Sequence, residues 1–408
     1  MLTEGTFTVK KISIVIFSAL LILSLAGCEP RQAPVPVPLV PAPPDVRMPG
    51  SVISLEEVRN YTFHIWESGT FELPVQGATG WAAIDIPLFD TAHRNSSIIA
   101  TLPMGQAFTI LDGGIPGTEW WYIEVNDATG ATITGWVLNL YCMINLPDVL
   151  PSIVYRNPNI QSAMFRSSGR DIPNITGLPL SCSRDFNARL GREEDIAATL
   201  YRMARKIGVA QQAALAEGNT LIIYEAFRPH DLQEKIYENL RFLYETDPVV
   251  RAGISTPPWN IRWFLARSPY NHQRGTAIDV SLGRIDHYEI RVTGDYAFIN
   301  ISGYTAFPMQ TPMHELSIAA VVFRTPAHAR SLTAWRDAEF AETATPGTIL
   351  LHRYLTDAGL IPLASEWWHF NDLVHTDFAV EVNITGEFVT ERSYSRPPEQ
   401  LWRGTGSR

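Results

Sequence analysis

Five residues in the second half of the chain carry the side chains that metal-assisted amide hydrolysis requires. His272, Asp279 and His369 offer two imidazoles and one carboxylate, a set that suits Zn2+ in catalytic sites and leaves a fourth position for water. Glu366 lies three residues before His369, where its carboxylate could take a proton from that water. Arg228 could hold the oxyanion that forms on attack. Together the five residues predict a metal-dependent hydrolase.

Four motifs contain or flank these residues, in a fixed order along the chain. They are Asn174-Ile175-Thr176-Gly177, Phe227-Arg228-Pro229, the run from His272 to Asp279, and Glu366-Trp367-Trp368-His369. Each is a weak signal alone. In this order and with this ligand spacing, they resemble the D-alanyl-D-alanine dipeptidases, zinc peptidases related to D-Ala-D-Ala carboxypeptidases and murein endopeptidases. The resemblance covers roughly residues 150 to 380.

The resemblance implies a role for each of the five residues. His272, Asp279 and His369 would be the ligands of one Zn2+ per chain. Glu366 would be the general base, and Arg228 would stabilise the transition state. Taken singly, either histidine would more often be an ordinary hydrogen-bonded side chain, and Arg228 a surface ion-pair partner. Only their joint occurrence favours the catalytic interpretation.

Two departures from the family pattern concern the substrate. Tyr270 stands where the family commonly has a serine, two residues before the first histidine. Counting from Met309, His314 stands where the family has an aspartate that binds the free ammonium of the dipeptide, and Glu315 is adjacent. Because a neutral imidazole gives no fixed negative charge, we expect N-acylated peptides ending in D-Ala-D-Ala to be cleaved at least as well as the free dipeptide.

Three functions remain open at this stage. The motif set favours a dipeptidase that hydrolyses D-Ala-D-Ala in cell-wall metabolism. The two departures favour a D,D-carboxypeptidase or endopeptidase that trims peptidoglycan stem peptides. A non-catalytic cell-wall-binding lipoprotein is the third alternative, and the complete set of ligands and base argues against it.

The first 28 residues are predicted to be a lipoprotein signal peptide. Lys10 and Lys11 precede an apolar run that is too short to span a bilayer comfortably, and Leu25-Ala26-Gly27-Cys28 resembles a bacterial lipobox. Lipidation of Cys28 would make the protein an exported, membrane-anchored lipoprotein facing the cell wall or periplasm. An ordinary secretory signal or a membrane anchor are the alternatives.

Residues 29–50 are predicted to be an extended tether between this anchor and the folded protein. They include eight prolines. A polyproline II conformation over this length would reach roughly 60 Å.

Residues 51–148 are predicted to be a small all-β domain, in which Trp81-Ala82-Ala83, Trp120-Trp121-Tyr122 and Gly135-Trp136-Val137 resemble bacterial SH3-like barrels. The clearest strands are Ile98–Leu102, Phe108–Leu111, Trp120–Val125 and Gly135–Leu140, with glycine-rich or Asn/Asp-rich turns between them. Such modules often bind cell-wall peptide or glycan. Their aromatic residues are more often core than ligand-binding, so both interpretations stay open.

Residues 149–408 are predicted to be the α+β zinc peptidase domain. We expect helices over Glu193–Ala216 and Asp231–Tyr244, and buried strands over Leu221–Tyr224 and Ala277–Leu282. In a flat strand Glu366 and His369 would face opposite ways, so a bulge or turn must bring both to one ion. Cys142 and Cys182 could form a disulfide or remain two buried thiols.

Composition sets the outer limits on function. The chain has 408 residues, of which 46% are hydrophobic and 18% charged, which is typical of a globular protein and favours two domains. The net charge of −10 argues against a nucleic-acid partner. The family resemblance implies the dipeptide or stem peptide as a partner, and the lipobox implies the membrane, through lipidated Cys28.

Overall fold

The computed structural model of the chain describes residues 70–113, 119–126, 129–294 and 296–398. The predicted signal peptide with Cys28, the Pro-rich tether and residues 51–69 lie outside these ranges. Within them, no helix combines the length and apolarity needed to cross a membrane.

Mixed α and β structure runs through the described residues. The strands, in chain order, are β1 (Thr79–Ala82), β2 (Ile86–Phe89), β3 (Ile98–Leu102), β4 (Ala107–Asp112), β5 (Trp120–Asn126), β6 (Thr132–Leu138), β7 (Cys142–Asn145), β8 (Val154–Tyr155), β9 (Arg166–Ser167), β10 (Arg170–Asp171), β11 (Arg184–Asn187), β12 (Arg192–Asp195), β13 (Ala198–Leu200), β14 (Asn219–Glu225), β15 (Ala277–Thr293), β16 (Tyr296–Ala306), β17 (Ile361–Pro362) and β18 (His369–Asn371). The α-helices are α1 (Leu146–Val149), α2 (Tyr201–Ala216), α3 (His230–Thr246), α4 (Pro248–Ser255), α5 (Pro346–Asp357) and α6 (Leu373–Glu381). Short 3-10 helices cover Asn139–Tyr141, Pro158–Ile160, Ile261–Trp263, Ile318–Ala320 and Ala334–Asp337.

The first sheet contains the strands predicted between residues 98 and 140. Its strand order is β13-β7-β1-β4-β5-β6-β2-β3, an open path, so the described strands do not close into a barrel and the predicted SH3-like barrel is not confirmed. Trp81 and Trp121 are fully buried in the core. Trp121 packs edge-on against Tyr201 of α2, with ring centroids 4.7 Å apart. These two tryptophans therefore stabilise the core and are not available to stack on a ligand.

The second sheet holds the residues predicted to do chemistry. Its order is β17-β18-β15-β14-β8, and β16 pairs with the outer part of β15. All pairings are antiparallel except that of β14 with β8. Strand β15 is much longer than the expected Ala277–Leu282. With β16 it forms an antiparallel hairpin arm, in which Arg284 is opposite Thr305 and Thr293 is opposite Tyr296.

Strand β13 connects the two parts of the described chain. It pairs with β7 of the first sheet, with Thr199 opposite Ile144. All described residues fall within one compact unit, from Met48 onward. The domain boundary expected after residue 148 therefore remains a prediction.

The helix expected over Glu193–Ala216 begins later than predicted. Residues 192–195 form β12, which pairs with β11, and 198–200 form β13. The side chain of Asp195 is held by an ion pair with Arg184 at 2.8 Å, which fixes the extended conformation. Strand pairing therefore overrides the helical periodicity in this segment. From Tyr201 onward the prediction is confirmed, and Gly218 follows the helix with a φ of +74°.

The expected bridge between Cys142 and Cys182 is absent. Cys142 is a buried free cysteine, so the disulfide between Cys142 and Cys182 is not formed. Burial raises the pKa of the Cys142 thiol, which keeps it protonated and unreactive.

Candidate metal centre

A row of directly opposed residues crosses the middle of the second sheet. Asp279 on β15 is opposite Glu225 at the end of β14 and opposite His369 at the start of β18. Opposed residues on neighbouring strands project from the same face of a sheet. A β-bulge between Ile223 and Glu225 sets this register. The pairing therefore brings together side chains that are 54 and 90 residues from Asp279 in sequence.

A tight turn before β15 delivers His272 to the same face. Gly275 in this turn has a φ of +66°, and an added Cβ would lie 2.8 Å from Met143 and 3.0 Å from the backbone nitrogen of Leu200. Only glycine accepts both the conformation and the close packing. The turn is closed by hydrogen bonds from Gly275 N–H to the His272 carbonyl and from Thr276 N–H to the Asn271 carbonyl.

Three ligand atoms converge at this point. The Nε2 of His272 lies 3.2 Å from the Nδ1 of His369 and 3.3 Å from the Oδ1 of Asp279. The His369 Nδ1 lies 3.0 Å from the same oxygen. All three residues are buried. Ligands at about 2.0–2.1 Å from a tetrahedral ion are about 3.3 Å apart, so the triangle has the size that such an ion needs.

The outer nitrogens of both imidazoles are held by hydrogen bonds that leave the inner nitrogens free to bind a cation. His272 Nδ1 lies 2.6 Å from the Ala226 carbonyl, which can only accept a proton. His369 Nε2 lies 2.9 Å from the Oδ1 of Asn371, which also accepts from Asn271. With their outer nitrogens engaged in this way, the inner nitrogens of both imidazoles face each other and the Asp279 carboxylate. When deprotonated, these two nitrogens and the Asp279 oxygen form a donor set for a metal ion.

Glu366 lies in a turn between β17 and β18. A turn or bulge was expected here, because Glu366 and His369 are three residues apart and would face opposite ways in a flat strand. Its Oε2 is 3.9 Å from the His369 Nδ1. Burial, together with the charge of Asp279, raises the pKa of Glu366 to about 7 against the opposing effects of His369 and Arg228. A carboxyl group with a pKa close to neutrality can both accept and release a proton, as a general base and acid must.

Arg228 follows the end of β14 and is buried. Its guanidinium donates to the Oε2 of Glu225, at 2.9 Å from Nε, to Gln233 at 2.6 Å and to the Oδ2 of Asp279 at 3.1 Å. A second bond joins its Nη2 to the same oxygen of Glu225. Of the five guanidinium N–H groups, one on Nη1 is left for a ligand. The side chain also lies over Phe165, with the guanidinium carbon 5.1 Å from the ring centroid.

One pocket contains most of the predicted site. It has a volume of about 280 Å3, and its wall includes the three candidate ligands, Glu366, Arg228 and Tyr270. Aromatic and aliphatic side chains make up much of the rest: Phe165, Ile236, Leu240, Trp263, Phe264, Leu316 and Trp368. A concave, largely apolar pocket with a few polar groups is typical of a site for a small ligand.

The structure does not place His314 and Glu315 on the pocket wall. His314 is fully buried, stacks on Phe165 at 4.0 Å and has its Nε2 3.0 Å from the Oδ2 of Asp279. The His314 side chain therefore orients the Asp279 carboxylate through its Oδ2 atom and is not available to a substrate. The Glu315 carboxylate accepts from the Gly169 N–H.

Glu225, Asp279 and His314 form a second group whose ligand atoms are close enough for an ion. The Arg228 guanidinium already lies between Glu225 and Asp279. Its positive charge occupies the position that a second cation would need, so this group serves to orient Asp279 and Arg228.

Three positioning residues were missed by sequence reasoning. They are Asn371, which orients His369, and Glu225 and Gln233, which hold Arg228. Glu225 and Gln233 are three and five residues from Arg228, so a search for acceptors beside that arginine would have found them. The contact of Asn371 with Asn271 joins residues 100 apart and left no signal in the sequence.

Comparison with known proteins adds a distant relationship. A D-alanyl-D-alanine dipeptidase of Escherichia coli (strain K12) is 27% identical to this chain over 168 residues, which are 41% of this chain and 61% of that protein. The chain thus matches about three-fifths of the length of its relative. No family model matches the chain. This partial similarity relates the chain to the peptidases, and hence to the hydrolases.

Proposed function

We propose that the protein is a zinc-dependent peptidase that hydrolyses the bond between two D-alanine residues, as a D-alanyl-D-alanine dipeptidase. The observation that carries this proposal is the triangle formed by His272 Nε2, His369 Nδ1 and Asp279 Oδ1, with Glu366 beside it. Two nitrogens and one oxygen, buried and oriented by outer hydrogen bonds, fit zinc better than they fit calcium or magnesium, which prefer oxygen ligands.

The residues of the pocket divide the chemistry among them. Bound zinc would act as a Lewis acid and lower the pKa of water from about 15.7 toward about 7. Glu366 takes one proton from the attacking water and passes it to the nitrogen of the leaving D-alanine. The remaining Nη1–H of Arg228 donates to the oxyanion that forms on the peptide carbonyl. The apolar wall of the pocket strengthens these charge interactions.

A D,D-carboxypeptidase acting on acylated stem peptides is the second candidate. Among the described residues, the acidic side chains on the pocket wall are those of Asp279 and Glu366, and both are already assigned, to the metal and to the proton transfer. None of these carboxylates is therefore left to bind a free ammonium group, which favours this second candidate. Neither His314 nor Glu315 reaches the pocket to bind a free ammonium. An N-acylated substrate carries no such charge.

The cellular setting is part of the proposal. Lipidation of Cys28 would anchor the protein to a membrane, and the Pro-rich segment would let the enzyme reach the wall. The β-rich region that contains β1 to β7 would be an SH3-like module that binds wall peptide or glycan. Its tryptophans at 81 and 121 are core residues, so such binding would use other side chains.

One experiment tests the proposal and separates the candidates. Purified protein is analysed for metal and offered free D-Ala-D-Ala and an N-acylated peptide ending in D-Ala-D-Ala, with D-alanine release as the readout. We expect one zinc per chain, release from both substrates, and loss of both properties when His272 and His369 are replaced by alanine. Full zinc occupancy in that double variant would contradict the site. Strict activity on the free dipeptide would exclude the carboxypeptidase.

A further inference from the structure

Six consecutive residues, 262–267, line the pocket, and they are the longest continuous stretch of chain on its wall. The first two of them end the 3-10 helix Ile261–Trp263. From Leu265 to Arg267 the chain belongs to no helix and to no strand of the described sheets. Leu265 and Ala266 are half-buried. The pocket therefore borders on main chain that takes part in no regular secondary structure.

Side-chain hydrogen bonds tie this segment to both catalytic groups of the proposed mechanism. The Oε1 of Gln233 accepts from Arg228 at 2.6 Å, and the Nε2 of the same side chain donates to the Ala266 carbonyl at 2.7 Å. The hydroxyl of Ser365, which precedes the proposed general base, donates to the Trp263 carbonyl at 2.7 Å. The segment therefore has a fixed position relative to the arginine and to the base.

The main-chain groups of this segment are largely without hydrogen-bond partners. Among the described residues, the N–H groups of Leu265, Ala266 and Arg267 donate to no acceptor, and the carbonyls of Leu265 and Arg267 accept from no donor. Main-chain polar groups that are shielded from water are unfavourable until they find a partner. Leu265 and Arg267 thus each offer one donor and one acceptor beside the pocket.

We infer that the main chain of Leu265 and Arg267 binds the main chain of the peptide before the scissile bond, as a short added strand. The inference rests on the proposed function and deepens it, because it assigns the pocket to peptides longer than the dipeptide. An extended peptide joins an open strand by exchanging N–H and carbonyl bonds, and successive residues face opposite sides. Gln233 already holds the Ala266 carbonyl, so the two neighbours of Ala266 have their open groups on the other side.

The same alternation selects the residue of the peptide that takes part. The scissile carbonyl belongs to the first D-alanine and has to face Arg228, so the N–H of that D-alanine lies on the same side. The residue before it turns its own N–H and carbonyl the opposite way, where they are free to pair with the segment. A free dipeptide has no residue in this position. We therefore expect acylated peptides with one more residue to bind more tightly than the dipeptide.

Calorimetric binding to the zinc-loaded full chain tests this contact. The parent chain carries Glu366→Gln, so that the probes are not consumed. One probe is acetyl-Ala-D-Ala-D-Ala, and the other is its ester analogue, in which an oxygen atom replaces the N–H of the first alanine. Leu265→Pro and Arg267→Pro each remove one main-chain N–H. Leu265→Ala and Arg267→Ala are the matched controls, because they remove the same side chains and keep the N–H.

We expect the parent chain to bind the amide probe about three- to tenfold more tightly than the ester probe, which is the usual difference for one neutral hydrogen bond. Each proline variant should bind the amide probe more weakly than its alanine control by a similar factor, with unchanged zinc content. Equal binding of the two probes by the parent would overturn the inference, whether or not the proline variants fold. Folded proline variants that bind the amide probe as well as their alanine controls would also overturn it.

Hydrolysis by the wild-type chain separates this contact from the proposed activity. D-alanine release from both probes, with equal binding of the two by the parent, would keep the activity and reject the contact. A preference for the amide probe in a chain that hydrolyses neither probe would reject the activity and keep the contact. A parent chain that binds neither probe would reject the contact.

Discussion

At the scale of single residues, two carboxyl groups of the site have pKa values shifted in opposite directions. Burial raises the pKa of Glu366 to about 7. Asp279 is also buried, but His272 and hydrogen bonds from three histidines hold its pKa well below the usual range. One carboxyl group therefore stays an anion fit to bind a metal, while the other can exchange a proton. Divergent environments of this kind separate a ligand from a base.

Glu366→Gln tests this separation. The amide occupies the same space but cannot accept a proton from water, so we expect zinc content to stay at one per chain and turnover to fall at least a hundredfold. Metal analysis and D-alanine release measure the two effects. If turnover stayed within threefold of the wild type, another residue would have to be the base.

Arg228→Lys tests the geometry of the guanidinium. Lysine keeps the positive charge but cannot reach Glu225, Gln233 and Asp279 together with a substrate oxygen. We expect kcat to fall about 10²- to 10³-fold, the usual loss of one oxyanion donor, while zinc content is unchanged. Kinetics with a saturating peptide substrate checks this. A change in KM alone would assign Arg228 to binding and not to the transition state.

At the scale of elements, the strand register determines the site. A slip of one residue between β15 and β18 would turn His369 to the other face of the sheet. The strands around residues 221 and 277 were predicted from their apolar runs. Their pairing was not, because β18 joins β15 across about ninety residues and no local pattern encodes that contact. The predicted start of the helix at Glu193 is wrong for the same reason, because residues 192–195 and 198–200 pair with other strands.

Asn371→Ala tests the element that orients His369. Loss of the side-chain oxygen frees the imidazole to rotate, so we expect zinc affinity to fall about 10- to 100-fold with the fold retained. Asn219→Ala is the matched control, because Asn219 is also a buried asparagine on a strand but donates to Tyr354. Zinc titration against a competing chelator measures both variants. Equal losses in the two would mean that the effect is one of general stability.

At the scale of the whole molecule, the targeting segment is tested by Cys28→Ala. The alanine variant cannot carry a lipid on this residue, so we expect it to leave the membrane fraction or to remain unprocessed. Cell fractionation and gel mobility are the measurements. A variant that fractionates and migrates like the wild type would contradict lipidation at Cys28 and favour an ordinary secretory signal or an anchor.

Glu72 joins distant parts of the described chain, and its position makes a pH prediction possible. Its carboxylate accepts from the backbone and the hydroxyl of Ser152, 80 residues away, and it is buried. Burial raises the pKa of Glu72 from 4.5 to about 7. The folded state therefore holds this proton more tightly than the unfolded state does. The stability that Glu72 contributes is complete below about pH 4.5 and is lost as the pH rises toward about 7.

Glu72→Gln should remove this pH dependence, because an amide stays neutral throughout. Each pKa unit corresponds to about 1.4 kcal/mol, so between pH 4.5 and pH 8 the free energy of unfolding of the variant, relative to the wild type, should rise by about 3 kcal/mol. Urea unfolding of both proteins at pH 4.5, 6 and 8 measures the difference. Other titrating groups and metal binding act on both proteins alike and cancel in it. A difference that stayed constant across this range would show that Glu72 has the same pKa in the folded and unfolded chain, and that its buried contact with Ser152 is made by the ionised carboxylate.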